Sequence, residues 1–163
     1  MSHFLRSTLF LTLFMGVGVD AMAFDVYLTR HFEKQSHSQD PALAAKGLRR
    51  AKQLVNLLEN ADIKKIYSTQ YRRTQQSVAP LSQQLKIEVE IYPANELDAL
   101  AKRIKAEKVN VLVVGHSNTI PPLRALLGGK AKEMSEEEFG ELFKLKIVDE
   151  QVTMSSQQVG VNE

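Results

Sequence analysis

The chain has 163 residues, of which 44% are hydrophobic and 25% are charged, so it can build one globular core but has little room for a second domain. Its formal net charge at pH 7 is +2 and its basic residues alternate with acidic ones, which argues against a nucleic-acid partner. It has no cysteine, and this excludes disulfides and a lipid-anchored cysteine.

The first 23 residues have the pattern of a secretory signal peptide. His3 and Arg6 precede an apolar run over 9–19, and the run is followed by Ala21-Met22-Ala23, with small residues where signal peptidase accepts them. The run is shorter than the ~20 residues that span a bilayer. We therefore expect cleavage after Ala23, no stable membrane insertion afterwards, a periplasmic or secreted location and a single domain over 24–163. An uncleaved membrane anchor is the alternative.

Strand-like segments recur along the rest of the chain. They cover 25–29, 64–68, 87–92 and 109–114. The third alternates strictly between apolar and polar residues, as expected nearer the edge of a sheet. The fourth is almost wholly apolar, which is typical of a central parallel strand covered on both faces.

Segments whose apolar residues recur at helical spacing lie between these strands. The first helix is predicted to begin at Asp40-Pro41, because Asp is a good N-cap and Pro suits the first helical position. Its predicted buried stripe is Leu48, Ala51, Leu54, Val55 and Leu58. Two further helices are expected over 71–85 and 95–107.

The C-terminal part departs from this alternation. Ser135 to Glu138 has a capping-box pattern that predicts a short helix, in which Glu136, Glu137 and Glu138 form a solvated first turn. Segments 143–148 and 152–154 flank Asp149-Glu150 and predict an antiparallel edge hairpin. The fold class that follows is α/β: three α/β/α layers around a mostly parallel central sheet.

Four cationic or titratable side chains follow three of these strands. Arg30 and His31 follow the first, Arg73 the second and His116 the fourth. Open α/β sheets bind ligands at the carboxyl ends of their strands, so these side chains are expected to converge. Arginine forks match phosphate oxygens and a neutral imidazole nitrogen can attack phosphorus, so the combination favours a phosphate ligand.

Three segments that include these residues resemble the motifs of a known family. Thr29-Arg30-His31-Phe32-Glu33-Lys34, the segment 67–77 (YSTQYRRTQQS) and Gly115-His116-Ser117-Asn118-Thr119 are similar, in this order, to the motifs of the histidine phosphatase superfamily. The resemblance implies that His31 is transiently phosphorylated. It also implies that Arg30, Arg73 and His116 hold the phosphoryl oxygens, without a metal or another cofactor.

The two histidines are expected to differ in charge. Arg30 and Arg73 should depress the pKa of His31 and keep its ring neutral, while its second ring nitrogen donates to an acceptor. His116 should act in the charged form. Ser117 and Asn118 begin the next helix, whose backbone N–H groups are expected to point at the phosphate.

The general acid has three candidates. The resemblance places it in the stretch after the second motif, where Glu96 and Asp98 lie, and Glu33 is a rival close to His31. Phe32 stands where glycine is common in the family, which bears on the shape of this loop. A phosphoramidate substrate would have less need of an acid.

The sequence therefore predicts an exported, metal-independent phosphatase that acts on a phosphomonoester or phosphoramidate through a phosphohistidine. Expected partners are a phosphorylated small molecule, an envelope glycan or a phosphoprotein. One alternative is an anion-binding module of the same fold in the cell envelope with little turnover. The other is an envelope-associated structural protein retained by its N-terminal apolar segment.

Overall fold

The computed structural model describes residues 22–36 and 38–161, so nearly all of the expected signal peptide lies outside the described residues. Strands and helices follow one another in the order β1 (Ala23–Arg30), α1 (Ala45–Leu58), β2 (Lys65–Ser68), α2 (Arg72–Leu85), β3 (Val89–Ile91), α3 (Leu97–Glu107), β4 (Val111–Gly115), α4 (Ile120–Leu126), β5 (Glu141–Val148) and β6 (Gln151–Gln158). The four strands expected from the sequence are all present.

These strands form one sheet in the order β3-β2-β4-β1-β5-β6. The first four are mutually parallel, and β5 and β6 continue the sheet in antiparallel pairing. The predicted edge hairpin is confirmed: Asp149 and Glu150 form its two-residue turn with φ of 46° and 69°. β4 is central, as its apolar composition indicates.

Helices cover both faces of the sheet and complete the predicted three layers. Alternate residues of β4 separate the two halves of the core, because Val111 and Val113 pack with α3 and α4 while Leu112 and Val114 pack with α1 and α2. Within the described ranges, no helix is long and apolar enough to cross a membrane.

The start of α1 differs from the prediction. Its N-cap is Ala44, which makes no side-chain cap hydrogen bond. Asp40 instead accepts a hydrogen bond from the backbone N–H of Arg72 at 3.0 Å, at the start of α2. Within α1, Leu48 is 45% exposed and Arg50 is buried, so the predicted stripe is wrong at its first position. Arg50 is buried because it pairs with Glu33.

The short helix predicted at Ser135 to Glu138 is wrong, since these residues form only a turn. The capping-box contact itself is made: the backbone N–H of Ser135 donates to the Glu138 carboxylate at 2.9 Å. A helix cannot follow because Gly140 has φ of 87° and β5 begins at the next residue. We refer to residues 131–140 as the α4–β5 loop.

Candidate active site

The parallel strands bring the three motifs to one edge of the sheet. β1 and β4 are in register with Arg30 beside Gly115, so the residues that follow, His31 and His116, are also neighbours. The backbone N–H of His31 donates to the Gly115 carbonyl at 2.9 Å, and the two imidazole rings lie 5.4 Å apart. Arg73 follows β2, the other neighbour of β4, in the first turn of α2.

A hydrogen bond to the backbone decides which ring nitrogen of His31 can act as the nucleophile. Nδ1 lies 2.8 Å from the carbonyl oxygen of Phe32, which can only accept, so Nδ1 holds the proton and Nε2 has the free lone pair. The pKa of His31 is lowered to about 3, chiefly by burial; the hydrogen bond to the Phe32 carbonyl opposes this, and the charges of Arg30 and Arg73 add smaller effects in the lowering direction. The ring is therefore neutral at pH 7.

His116 is oriented by two threonines. Its Nε2 lies 2.9 Å from Oγ1 of Thr69, which lies 2.9 Å from Oγ1 of Thr74. Thr74 Oγ1 also lies 2.7 Å from the Tyr71 carbonyl and so uses its proton there. Thr69 must then donate to Thr74 and accept from Nε2–H of His116, which leaves Nδ1 of His116 without a proton.

The surroundings of His116 favour an uncharged ring near pH 7, whereas the charged form is the one expected to act on the phosphate. Burial lowers its pKa to about 4, with smaller effects in the same direction from Arg73 and Arg30. The sequence could not show this, because it does not reveal that the ring is only 8% exposed. An anion that neutralises the two guanidinium groups would raise this pKa again.

The two arginines have hydrogen-bonding capacity left over beside the imidazoles. Nε of Arg30 and Nε of Arg73 are both buried and have no partner among the described residues. Buried donors without a partner are rare and costly. A bound oxyanion would satisfy them. Arg73 is held over the Tyr71 ring at 4.4 Å.

A pocket of about 310 Å³ opens above these groups. It is lined by His31, Lys34, Tyr71, Arg73, Ala94, His116, Ser117, Asn118 and Glu136. Ser117 and Asn118, predicted to bind phosphate, are therefore at the pocket, whereas Arg30 lies beneath it with a side chain that is 1% exposed. In the described part of the chain, no group of three histidine or acidic side chains is placed to hold a metal ion.

The structure does not bring the three predicted acids into this pocket. Glu33 pairs with Arg50 at 2.6 Å. Burial raises the pKa of Glu33, but the hydrogen bonds from Arg50, a backbone N–H and Lys46, together with the charge of Arg50, outweigh it in sum and hold the pKa below its usual range. Glu96 and Asp98 are exposed at the start of α3. Phe32, which replaces the common glycine, is fully buried in the core and leaves the pocket free.

Glu136 is the pocket residue that sequence reasoning missed. Its Oε2 lies 2.8 Å from Nη2 of Arg30, and its Oε1 accepts a hydrogen bond from Ser117. The sequence signal was the capping box, which identified a structured turn but not its position over the site. Tyr71 was also missed, although it lies three residues after the end of β2, where its ring reaches that of His116.

Comparisons with known proteins agree with this geometry. The sequence model of the histidine phosphatase superfamily (branch 1) matches residues 26–96. No curated protein matches the chain by sequence.

Among solved structures, the protein histidine phosphatase SixA complexed with tungstate is similar over 83% of this chain and 97% of its own, with a TM-score of 0.68 and 16% identity. The alpha-ribazole phosphatase from Shigella flexneri is similar over 85% and 100%, with a TM-score of 0.68 and 15% identity. A mycobacterial glucosyl-3-phosphoglycerate phosphatase is similar over 83% and 98%, with a TM-score of 0.65 and 13% identity. At such identities the likeness concerns the fold.

Proposed function

We propose that the chain is a member of the histidine phosphatase superfamily and a metal-independent phosphatase that hydrolyses a phosphomonoester or phosphoramidate through a phosphohistidine on Nε2 of His31. The observation that supports this most strongly is the hydrogen bond from Nδ1 of His31 to the Phe32 carbonyl. It leaves an unprotonated nitrogen on a residue that lines the pocket together with Arg73, whose Nε–H has no partner among the described residues, and the unpartnered Nε–H of Arg30 lies beneath the pocket.

The surroundings of His31 suit an in-line displacement. Nε2 attacks phosphorus, the bond to the leaving group breaks, and Nε of Arg30 and Nε of Arg73 donate to the non-bridging oxygens. These donors are already in place, so little reorganisation is required when charge develops. His116 takes up a proton at Nδ1 as the anion binds and becomes a further donor. Water then hydrolyses the phosphohistidine.

The space beside the phosphate pocket indicates which leaving groups fit. A second pocket of about 340 Å³ shares Tyr71 and Ala94 with the first. It is lined otherwise by uncharged residues with hydroxyl, amide, aromatic or apolar side chains: Thr69, Gln70, Ile91, Tyr92, Pro93 and Asn95. A leaving group seated there meets no charge. We propose an uncharged leaving group, belonging to a small ester, a sugar of the envelope or a protein side chain.

Hydrolysis of an activated aryl phosphate tests the activity. Wild-type protein is expected to release the phenol, and His31→Ala to lose about 1,000-fold or more of the rate. The matched control is Lys34→Ala, which alters the rim of the same pocket but leaves the nucleophile intact. Equal and negligible rates for wild type and His31→Ala would favour the anion-binding alternative.

The cellular location belongs to the same proposal. We propose that the leader is removed after Ala23 and that the enzyme acts outside the cytoplasm. Phe24 is 5% exposed and packs in the core, so a chain that begins at Phe24 keeps its first core residue. Sequencing the N-terminus of the product purified from its native host is expected to give Phe24. Finding Met1 in the membrane fraction would contradict export with cleavage.

A further inference from the structure

The α4–β5 loop places one carboxylate over the phosphate pocket. Among the residues that the structure describes, Glu136 is the only carboxylate that lines the pocket of His31, Arg73 and His116. It contacts Nη2 of Arg30 and Oγ of Ser117. Its side chain is nevertheless 76% exposed, so solvent can exchange protons with it and the carboxylate has room to move.

The loop does not depend on this carboxylate for its position. Nη1 of Arg30 donates to the backbone carbonyl of Ser135 at 2.8 Å and to that of Glu138 at 3.1 Å. The same guanidinium lies 4.3 Å from the centre of the Phe139 ring. Glu136 can therefore release Nη2 of Arg30 to a phosphoryl oxygen while the loop stays over the site.

Phosphate binding would change the charge around Glu136. The hydrogen bond from Ser117 lowers the pKa of Glu136, burial opposes this, and the charges around Arg30, His31 and Lys34 add smaller effects in the lowering direction. A phosphoryl dianion on Arg30 would neutralise that cation and bring negative charge beside the carboxylate. Both changes favour the protonated carboxylic acid.

From this geometry we propose that Glu136 is a catalytic residue: it is the general acid that protonates the leaving oxygen. The inference rests on the proposed phosphatase function and adds to it a proton donor from the α4–β5 loop. Glu33, Glu96 and Asp98 do not line the pocket.

The first half-reaction transfers the phosphoryl group to His31. Nε2 of His31 forms a bond to phosphorus, the phosphorus–oxygen bond breaks, and its electron pair takes the proton of Glu136 to give the alcohol. Glu136 is then a carboxylate. In the second half-reaction water attacks phosphorus, the nitrogen–phosphorus bond breaks, and Glu136 takes the proton from the water.

Leaving groups of different basicity test this role. We compare kcat/KM for two substrates. The phenolate of 2,4-dinitrophenyl phosphate leaves without protonation, whereas the alkoxide of an alkyl phosphate cannot leave until it is protonated. kcat/KM reports the steps up to formation of the phosphohistidine, so the second half-reaction does not enter. Glu136→Gln is expected to lose about 100-fold or more on the alkyl phosphate, and less than about 3-fold on the aryl phosphate.

The control is Glu137→Gln, an exposed carboxylate in the same turn that does not line the pocket, and it is expected to leave both substrates unchanged. Retained hydrolysis of the aryl phosphate by Glu136→Gln shows that the variant is folded. An equal change on both substrates, or a gain on both, would overturn the role as acid and leave a carboxylate that only competes with phosphate. Failure of the proposed function differs from both results, because wild type would then hydrolyse neither substrate.

Discussion

Two pockets lie at opposite ends of β1 and differ in what surrounds them. The pocket past the carboxyl end of β1 has a volume of about 310 Å³ and is lined by His31, Arg73 and His116. The pocket at the other end is larger, about 440 Å³, and is lined by Phe24, Lys105 and other residues. Its two lysines, Lys105 and Lys108, are exposed, whereas both imidazoles of the smaller pocket are buried.

The comparison shows that volume does not identify the reactive site. At and beneath the smaller pocket the protein holds guanidinium N–H groups that lack partners among the described residues, and imidazoles whose burial keeps them uncharged. These arrangements cost stability in the absence of a ligand. Proteins retain such a cost where chemistry requires it, and the larger pocket shows nothing comparable among its lining residues.

After the loss of His31 itself, the largest effect is expected from Arg73→Ala. This change removes a preorganised donor to the phosphoryl oxygens, so kcat/KM for an aryl phosphate should fall by about 100- to 1,000-fold. The matched control is Arg72→Ala, because Arg72 is adjacent in sequence but exposed and does not line the pocket. Steady-state kinetics on the two variants decide the point, and equal losses would remove Arg73 from the proposed oxyanion site.

Stability should depend on pH through the same two histidines. Their folded-state pKa values, about 3 for His31 and about 4 for His116, lie below the ordinary 6.5. At pH values between the folded-state pKa of each ring and 6.5, the unfolded chain binds a proton that the folded chain does not. The free energy of unfolding therefore falls as the pH falls below 6.5. At about pH 5 the loss is about 2 kcal/mol for each ring.

Urea denaturation near pH 7 and near pH 5 measures this dependence. The double variant His31→Asn, His116→Asn should lose less stability between the two conditions than the wild type, because it lacks both groups. An identical loss in the two proteins would mean that other residues dominate and that the rings are not held neutral by the fold.

Thr69→Val should have a smaller effect. The change keeps the shape of the side chain but removes the acceptor for Nε2–H of His116, which then has a buried donor without a partner. We expect kcat to fall about 10-fold, corresponding to one hydrogen bond. Thr153→Val on exposed β6 is the control. A rate for Thr69→Val equal to that of the control would show that His116 does not need this contact.

The smallest effect is expected at the other pocket. Lys105→Ala combined with Lys108→Ala removes two exposed cations from its lining, and kcat/KM should change less than about 2-fold, since surface charges far from a site are screened. A loss comparable to that of Arg73→Ala would mean that the larger pocket takes part in the reaction.

Much of the fold could be predicted from local patterns. Val111 to Val114 identified the central strand, and Asp149-Glu150 identified the hairpin, because period and turn chemistry are local properties. The start of α1 and the buried Arg50 could not be predicted, since Asp40 and Glu33 bind partners that are distant in sequence. Helix and strand propensities are local and carry no information about such contacts.

In the site, too, some features could be predicted from local patterns and others depend on contacts between distant residues. The strand ends predicted that His31, Arg73 and His116 would meet, and the structure brings them together. The ionisation of His116 and the position of Glu136 could not be predicted, because both depend on burial and on the path of the α4–β5 loop. That path follows from Arg30, which binds the loop backbone beneath the pocket.

The most direct test of the account is to identify the atom that becomes phosphorylated. Wild-type protein mixed with an aryl phosphate and quenched in alkali, where phosphohistidine survives, is digested and examined by mass spectrometry and phosphorus NMR. The account predicts phosphate on Nε2 of His31, because Nδ1 is bound to the Phe32 carbonyl. Phosphate on His116, or on Nδ1 of His31, would contradict it.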